Sequence, residues 1–145
     1  MVNFIAAARE NEHSVRSYAD TVALVGRILL ATIFVMSGAA KLADPAGTIG
    51  YIGAAGLPLA PVAYAGAVAI ELGGGIALIL GYRTRIVAAT LALFSLLAAM
   101  GFHSAFADQN QMIHFMKNVA MAGGLLQVVA FGGGRLSLDA RFQAA

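Results

Sequence analysis

Residues 62–80 read VAYAGAVAIELGGGIALIL, an apolar run that carries a single charge, Glu71, near its middle. A helix needs about 20 mostly apolar residues to cross the hydrocarbon core of a bilayer. Three other runs meet the same requirement: Thr21–Ala40, Ile86–Phe102 and Ile113–Phe131. Four such helices would have almost no polar face to present to water. The sequence therefore predicts an all-α integral membrane protein, a bundle of four transmembrane helices in contact with the lipid bilayer.

The composition of the chain agrees with this class of protein. Of its 145 residues, 60% are hydrophobic and 11% are charged, whereas soluble domains carry about 25% charged residues. The net charge of +2 comes without a run of Lys or Arg. Nucleic-acid binding needs a clustered basic face, so no nucleic-acid partner is expected. Cysteine is absent, which excludes disulfides, thiolate metal sites and thiol catalysis.

The apolar runs divide the chain into three parts. Residues 1–20 are expected to be a polar or interfacial N-terminal leader that stays attached, because the first apolar run is too long for the hydrophobic part of a signal peptide. Residues 21–134 form the transmembrane domain, and residues 135–145 form a short cytoplasmic tail. Within the linker after the first run, residues 48–55 are too few to span and are expected to form an interfacial helical turn.

The distribution of Lys and Arg between the loops predicts the orientation of the bundle. Short cytoplasmic loops are enriched in these residues. Most of the positive residues outside the runs fall at one end of the predicted bundle: Arg9, Arg16, Arg83, Arg85, Arg135 and Arg141. The loops at the other end contribute only Lys41. Both termini are therefore predicted to be cytoplasmic.

Polar residues within or beside the runs are the candidate functional positions. A charge near the bilayer centre costs about 2.5–3.5 kcal/mol on insertion scales, so it usually faces protein or a wet cavity. The candidates for ligand binding or proton relay are Glu71, Lys117, Asn118, Lys41, His103 and Arg27.

The helical positions of these residues indicate which way they face. At about 100° per residue, Arg27 and Lys41 share one face of the first run. On the fourth run, Lys117 shares a face with Met121 and Gly124. Stripes that join a polar group to small residues are typical of a packed bundle interior. We therefore expect the interior faces of these helices to carry the polar candidates.

Depth in the membrane predicts a cavity. Glu71 lies near mid-membrane, while Lys117, Lys41 and His103 lie nearer the outer boundary in the predicted topology. We expect a polar cavity that opens to the outer side, with Glu71 at its floor and Lys117 as the partner of Glu71. Arg27 lies in the other half of the membrane.

Each candidate also has a purely structural interpretation. Glu71 and Lys117 could form a buried ion pair without a ligand, which in itself is weak evidence of stability. Lys41 and Arg27 could extend to the headgroups by snorkelling. His103 could be an ordinary interfacial histidine, and Asn118 could simply hydrogen-bond between helices.

Metal and haem sites have little support in the sequence. No HExxH motif is present, and no carboxylate stands four residues from a histidine within the runs. His103 and His114 flank one loop, but that pair alone is a poor basis for a bis-histidine haem. No covalent or metal cofactor is therefore expected.

Six short motifs follow one another along the chain: Gly26-Arg27, Phe34-Val35-Met36-Ser37-Gly38-Ala39-Ala40-Lys41-Leu42, Gly56-Leu57-Pro58, Glu71-Leu72-Gly73-Gly74, Gly81-Tyr82-Arg83 and Phe115-Met116-Lys117-Asn118. No single motif is specific. As an ordered set, from about residue 25 to about residue 131, they resemble the DoxX family of small bacterial membrane proteins.

The resemblance implies a four-helix bundle in the bacterial inner (plasma) membrane. Relatives named DoxD and DoxA resemble parts of a thiosulfate:quinone oxidoreductase, and others are associated with redox systems. By resemblance, the chain would be a quinone- or redox-linked membrane subunit, with quinone as a non-covalent ligand and other membrane or redox subunits as partners. Arg27, Lys41, Glu71, Lys117 and Asn118 carry over as family-pattern positions without a catalytic role.

Two other functions stay open at this point. One is a non-catalytic anchor or accessory subunit of a larger respiratory or oxidoreductase complex. The other is a small-solute or proton pathway that uses the same polar residues. The sequence does not decide whether the chain is an enzyme.

The orientation can be tested by single-cysteine labelling, since the chain has no cysteine of its own. A cysteine placed at Asp139 should stay unlabelled by a membrane-impermeant maleimide in intact cells and react after the membrane is opened. Labelling from outside in intact cells would show that the C-terminus is not cytoplasmic and that the predicted topology is wrong.

Overall fold

Helices make up the regular structure of this computed structural model, which describes the backbone of residues 2–144 and the side chains of residue 15 and residues 17–144. Its helices are α1 (Val2–Ala43), α2 (Pro45–Ala54), α3 (Ala60–Val68), α4 (Gly74–Leu80), α5 (Thr84–Phe102), α6 (Gln109–Phe131) and α7 (Leu138–Ala144). A π-helical segment, Ala69–Gly73, joins α3 to α4. No strand occurs between residues 2 and 144.

Four helical segments are long and apolar enough to cross a membrane: Ser17–Ala43, Ala60–Leu80, Thr84–Phe102 and Gln109–Phe131. They contain the four predicted runs, so the predicted all-α membrane bundle is confirmed. The second of them consists of α3, the π-helical segment and α4. The short helix expected in the first linker is also present, as α2.

The predicted leader continues the first helix, because the backbone of α1 is helical from Val2 onward. The side chains of residues 1–14 and 16 lie outside the described part of the chain. The boundaries of the three predicted parts and the orientation of the termini therefore stay predictions.

Small and branched apolar side chains form the core between the spans. The buried cluster combines Ala31 and Phe34 of α1, Leu78 of α4, Ala88, Leu91 and Ala92 of α5, and Ala122 and Leu125 of α6. Many large apolar side chains stay exposed on the outside of the bundle, as expected where lipid is the solvent. The alanines let the helix backbones approach closely. In lipid there is no hydrophobic driving force between helices, so the van der Waals packing gained by this approach holds them together.

Two glycines allow α1 to pack closely against the second span. A Cβ atom at Gly38 would lie 2.7 Å from Leu72 Cγ, and one at Gly75 would lie 2.7 Å from Val35 Cγ2. Both distances are shorter than any real Cβ contact, so only glycine fits here without a shift. This close approach brings the end of α1 beside Glu71.

Arg27 holds the opposite end of the bundle together. It is 1% exposed, and its Nη1 donates to the carbonyl oxygens of Leu78 and Ile79 at 3.1 and 3.2 Å. Its Nη2 donates to the carbonyl oxygen of Leu136. The last carbonyls of a helix have no partner within that helix and carry negative partial charge. The guanidinium therefore caps α4 and fastens the segment that precedes α7 to it.

Asp139 of α7 caps the start of α5. Its Oδ1 and Oδ2 accept from the backbone N–H groups of Arg83 and Thr84 at 2.7 and 2.8 Å, and its own N–H donates to the Gly81 carbonyl at 2.9 Å. Partial burial raises the pKa of Asp139, but hydrogen bonds from Thr84 and Arg83 and the charge of Arg83 outweigh it, so the pKa lies below its ordinary value. The C-terminal helix is thus part of the architecture.

Asp139→Asn should lower the free energy of unfolding by about 1 kcal/mol, because the amide keeps only one acceptor oxygen and loses the hydrogen bond to the second backbone N–H. The folded-state pKa is lower than the unfolded value of about 3.9. The stabilisation is therefore present above that value and is lost as pH falls through the folded pKa. Thermal unfolding in detergent can be followed by circular dichroism. The variant should have a lower melting temperature than the wild type at neutral pH, and the two melting temperatures should converge in acid.

Arg141→Gln on the exposed side of α7 is the matched control and should behave as the wild type at both pH values. An unchanged melting temperature for Asp139→Asn at neutral pH would remove Asp139 from this role. Because Asp139 is structural, Gln143, which is exposed on the same helix, is the better position for the labelling experiment.

Candidate functional site

A cavity of about 730 Å³ lies within the half of the bundle that contains the end of α1. Its walls come from α1, α2, the second span, α5 and α6. Most of the wall is apolar and includes Phe34, Ile70, Phe94, Leu97 and Met121. Pockets for small molecules have volumes of about 300–1,000 Å³ and are mostly apolar with a few polar groups. The cavity has the size and character of a binding site for a small organic molecule.

A polar cluster on the wall of the cavity joins α1 to the second span. Lys41 Nζ lies 2.9 Å from Glu71 Oε1 and 2.8 Å from Glu71 Oε2. The same ammonium donates to Ser37 Oγ at 2.8 Å, and the Ser37 hydroxyl donates to Glu71 Oε1 at 3.0 Å. We call Ser37, Lys41 and Glu71 the ion-pair cluster.

The two charges of the ion-pair cluster differ in exposure. The side chain of Glu71 is 6% exposed, and that of Lys41 is 24% exposed. Glu71 Oε2 is within contact of the ammonium, but no described donor meets it in hydrogen-bond geometry. A buried carboxylate has a high desolvation cost that only a close cation and hydrogen bonds offset. The buried Glu71 carboxylate therefore needs Lys41 to offset its desolvation cost more than the partly exposed Lys41 ammonium needs Glu71.

The π-helical segment Ala69–Gly73 places Glu71 in this position. A π-helical turn inserts an extra residue into an α-helix and shifts the faces that precede and follow it. Such turns occur frequently at functional sites. Here the turn contains the one charged residue of the second span and faces the α1 residues Ser37 and Lys41. The local irregularity and the polar cluster thus coincide.

His103 and its neighbours form a second polar group on the cavity wall. His103 Nδ1 lies 2.9 Å from Gln111 Oε1, and its ring stacks on that of His114 with centroids 5.0 Å apart. Asn118 Nδ2 donates to the His114 carbonyl at 3.0 Å. His103 and Asn118 both line the cavity. The start of α6 is thereby attached to the end of α5 beside the cavity.

Helix α2 contributes the remaining polar part of the wall. Asp44 caps it by accepting from the backbone N–H of Gly47 at 2.9 Å, and the Thr48 hydroxyl donates to the Asp44 carbonyl at 2.8 Å. The Tyr51 ring stacks on Phe102 of α5 with centroids 5.5 Å apart. This short helix therefore covers one side of the cavity and contacts α5 across it.

Four of the six candidate residues line this one cavity: Lys41, Glu71, His103 and Asn118. Their roles in binding or proton transfer stay predictions. The prediction that Lys117 is the partner of Glu71 is wrong, because Lys41 occupies that position. Lys117 is exposed and does not line the cavity.

The physical reason for this error is the rotation of α6. Asn118, Ala122 and Leu125 form its inward stripe, and Lys117 lies about 100° away from Asn118 around the helix. The predicted stripe through Lys117, Met121 and Gly124 was therefore displaced by one residue at its polar end.

Arg27 lies outside the cavity as well. Its Nη groups are occupied by three backbone carbonyls, so it neither extends to the headgroups nor is directed at a ligand in this cavity. It shares a buried face of α1 with Ala31, Phe34 and Gly38, as its spacing from Lys41 indicates.

Sequence reasoning missed Ser37 and the residues of α2 as parts of the site. Ser37 stands four residues before Lys41, and this i,i+4 spacing places both on one helix face. That signal was available. Asp44-Pro45 is a recognisable helix start, but nothing local shows that α2 folds over the cavity. Among the described residues, no three His, Asp or Glu side chains come together as metal ligands would.

Comparison with known proteins agrees with a multi-pass protein of the inner membrane. The family model for DoxX matches residues 22–104. The chain is 38% identical over 122 residues to the inner membrane protein YqjF of Escherichia coli (strain K12), covering 83% of this chain and 91% of the relative. It is 34% identical over 123 residues to the inner membrane protein YphA of the same organism, covering 81% and 88%. No solved structure gives a significant match.

Lys41→Met should destabilise the folded bundle by about 3–5 kcal/mol, because it leaves the Glu71 carboxylate buried without its cation. Glu71→Gln should cost less, since Lys41 is partly exposed. The double variant Lys41→Met with Glu71→Gln should recover most of the loss. Membrane abundance and thermal unfolding in detergent measure these effects.

Lys117→Met combined with Glu71→Gln is the control for this cycle. It should give no recovery beyond Glu71→Gln alone, because Lys117 does not contact Glu71. Equal recovery by the two double variants would contradict the observed pairing.

Proposed function

This chain belongs to the DoxX family of inner-membrane proteins, and on that premise we propose that it is a quinone-binding, redox-linked membrane subunit. The bound quinone occupies the cavity beside the ion-pair cluster. A partner redox subunit exchanges electrons with that quinone. The chain itself supplies the binding site, the exclusion of water and the groups that hold protons.

The observation that carries the proposal is a mostly apolar cavity with a buried carboxylate–ammonium pair on its wall. A quinone is a flat, neutral, apolar ring with oxygens at opposite ends. The aromatic and aliphatic wall, which includes Phe34 and Phe94, suits the ring. The polar groups are a minority of the wall and include the ion-pair cluster, His103 and Asn118. This is the arrangement of an amphipathic-ligand site in a membrane.

Proton handling supports the same assignment. Reduction or oxidation of a quinone at neutral pH moves protons together with electrons, and carboxylate and imidazole groups are common proton acceptors and donors. Glu71 and His103 both line the cavity. A polar residue kept inside a membrane span is by default a functional candidate, because its insertion has a cost.

The cavity is closed towards the Arg27 end of the bundle. Its deepest wall residues are near Phe34, Glu71 and Phe94, and the buried cluster that includes Ala31 and Leu91 fills the interior beyond them. A pathway across the membrane would need polar groups or open space through this apolar layer. The closed end therefore favours a binding site over a solute or proton pathway.

Purification in a mild detergent, followed by mass spectrometry of extracted small molecules, should yield a quinone with the wild-type chain. Ala98→Phe places a ring into the cavity wall without touching the ion-pair cluster. It should reduce the retained quinone at least about tenfold, which corresponds to about 1.4 kcal/mol of binding free energy. Lys117→Met, which lies outside the cavity, should retain the wild-type amount.

Three results would contradict the proposal. Absence of any quinone from the wild type, with co-purifying membrane proteins, would indicate an accessory subunit. Proton or solute flux in proteoliposomes would indicate a pathway. Equal retention in Ala98→Phe and the wild type would place the quinone elsewhere on the protein.

A further inference from the structure

We infer that the ligand of the cavity carries an apolar chain, and that this chain leaves the cavity sideways, between α3 and α5, into the lipid bilayer. The inference rests on the quinone site proposed above and deepens it, because it states which kind of quinone fits and how it enters. Three observations carry it: the separation of these two helices, the small residues on the walls between them, and the size of the cavity.

Helices α3 and α5 separate in the half of the bundle that contains the cavity. Helix α5 packs against α4 and the π-helical segment of the second span, whereas the main contacts of α3 are with α1 and α2. Direct helix packing therefore does not fill the space between α3 and α5, which we call the α3–α5 slot. Residues of both helices line the cavity there: Ala63, Gly66 and Ala67 of α3, and Leu97, Ala98, Gly101 and Phe102 of α5.

The α3–α5 slot is open towards the lipid. Gly66 and Gly101 line the cavity and are also exposed on the outside of the bundle, and Leu97 is 54% exposed. A Cβ atom added at either glycine would have no described atom within 4 Å. At Gly38 and Gly75, by contrast, an added Cβ would lie 2.7 Å from a side chain of the facing helix. Gly66 and Gly101 thus lie beside open space that joins the cavity to the bilayer.

Aromatic side chains mark the two ends of the α3–α5 slot. Tyr51 of α2 stacks on Phe102 with centroids 5.5 Å apart and bounds the slot at the α2 end. Phe94 lies towards the other end, where the π-helical segment packs on α5. At about 1.5 Å per residue, the step from residue 94 to residue 102 corresponds to about 12 Å. The slot is therefore long enough to hold the first part of a hydrocarbon chain, and its walls are apolar.

The cavity is larger than a quinone ring requires. An apolar cavity of about 150 Å³ accommodates a benzene ring, whereas this cavity has a volume of about 730 Å³. A ring beside the ion-pair cluster occupies the part of the cavity next to α1. The part between α3 and α5 then remains free for a chain attached to that ring.

A second way out of the cavity, between α1 and α6, is obstructed. Large side chains stand on that wall, namely Ile33, Phe34 and Met121. The two helices also come together at Gly124, where an added Cβ would lie 3.2 Å from Leu30 Cδ2. Small residues keep the α3–α5 slot free of side chains, whereas large ones occupy the α1–α6 side. The chain therefore passes through the α3–α5 slot.

The test compares two probes in nanodiscs of phosphatidylethanolamine and phosphatidylglycerol that hold the full-length protein. Decylubiquinone carries a chain, and the corresponding dimethoxymethylbenzoquinone has the same ring without it. Binding is the amount retained beyond that in nanodiscs without protein. The ratio of variant to wild type for each probe then cancels the partition of the probe into lipid.

Gly66→Leu and, separately, Gly101→Leu place a side chain in the α3–α5 slot. Each should lower the affinity for decylubiquinone at least about tenfold, because the leucine and the chain cannot occupy the same space. Each should leave the affinity for the chainless ring within about twofold of the wild type. Gly123→Leu is the matched control, since Gly123 is exposed on α6, lies outside the cavity and has no described atom within 4 Å of an added Cβ. It should bind both probes as the wild type does.

A second measurement locates the chain without relying on variants. A decylubiquinone with a diazirine group in its chain, activated by light in the wild-type protein, should crosslink to peptides of α3 and α5, and excess decylubiquinone should suppress these crosslinks. Mass spectrometry of the digested protein identifies the peptides. Competed crosslinks confined to α1 and α6 would overturn the inference.

The outcomes separate the inference from the function on which it rests. Wild-type affinity for decylubiquinone in both slot variants would overturn the inference and leave the quinone site intact. Equal loss of both probes would also overturn it, since the leucines would then act on the ring. Binding of neither probe by the wild type would overturn the proposed function itself.

Discussion

The contact between Glu71 and Lys41 is the interaction on which the arrangement of this bundle depends. A carboxylate inside a membrane-spanning helix has to be paired with a cation or leave the hydrocarbon. The cation comes from the end of α1, so α1 and the second span must approach closely at this level. Gly38 allows that approach, since any side chain there would meet Leu72.

The two ends of the bundle use their buried charges in different ways. At one end, the Nη groups of Arg27 are occupied by the carbonyls of Leu78, Ile79 and Leu136, and the surrounding space is filled by protein. At the other end, the ion-pair cluster borders a cavity, and the side chain of Lys41 is 24% exposed. A charge enclosed by protein stabilises the architecture, whereas a charge beside open space can also contact a ligand. The proposed function is therefore placed at the Lys41 end.

The parts of this structure that sequence reasoning could predict are those set by local properties. Length and hydropathy decide whether a run crosses a membrane, so the four spans were predictable. The periodicity of α1 placed Arg27 and Lys41 on its buried face correctly. The inward-facing polar residue of α6 was predicted to be Lys117 and is Asn118, the next residue. The rotation of α6 is determined by the α5–α6 connection and by the contact of His103 with Gln111. No local pattern reports that rotation. The same holds for α2, whose place over the cavity depends on Tyr51 meeting Phe102, a contact between distant parts of the chain.

The charge of the cavity wall adds a constraint on the ligand. Glu71 and Lys41 neutralise each other, so neither charge is left to attract an ion. Asp44 adds a carboxylate on the α2 side. An anion would have to compete with Glu71 for Lys41 and would meet the field of Asp44 as well. A cation would leave most of the apolar wall without a matching surface. A neutral amphipathic molecule avoids both costs, and it is also the kind of molecule that reaches such a cavity by partitioning into the bilayer.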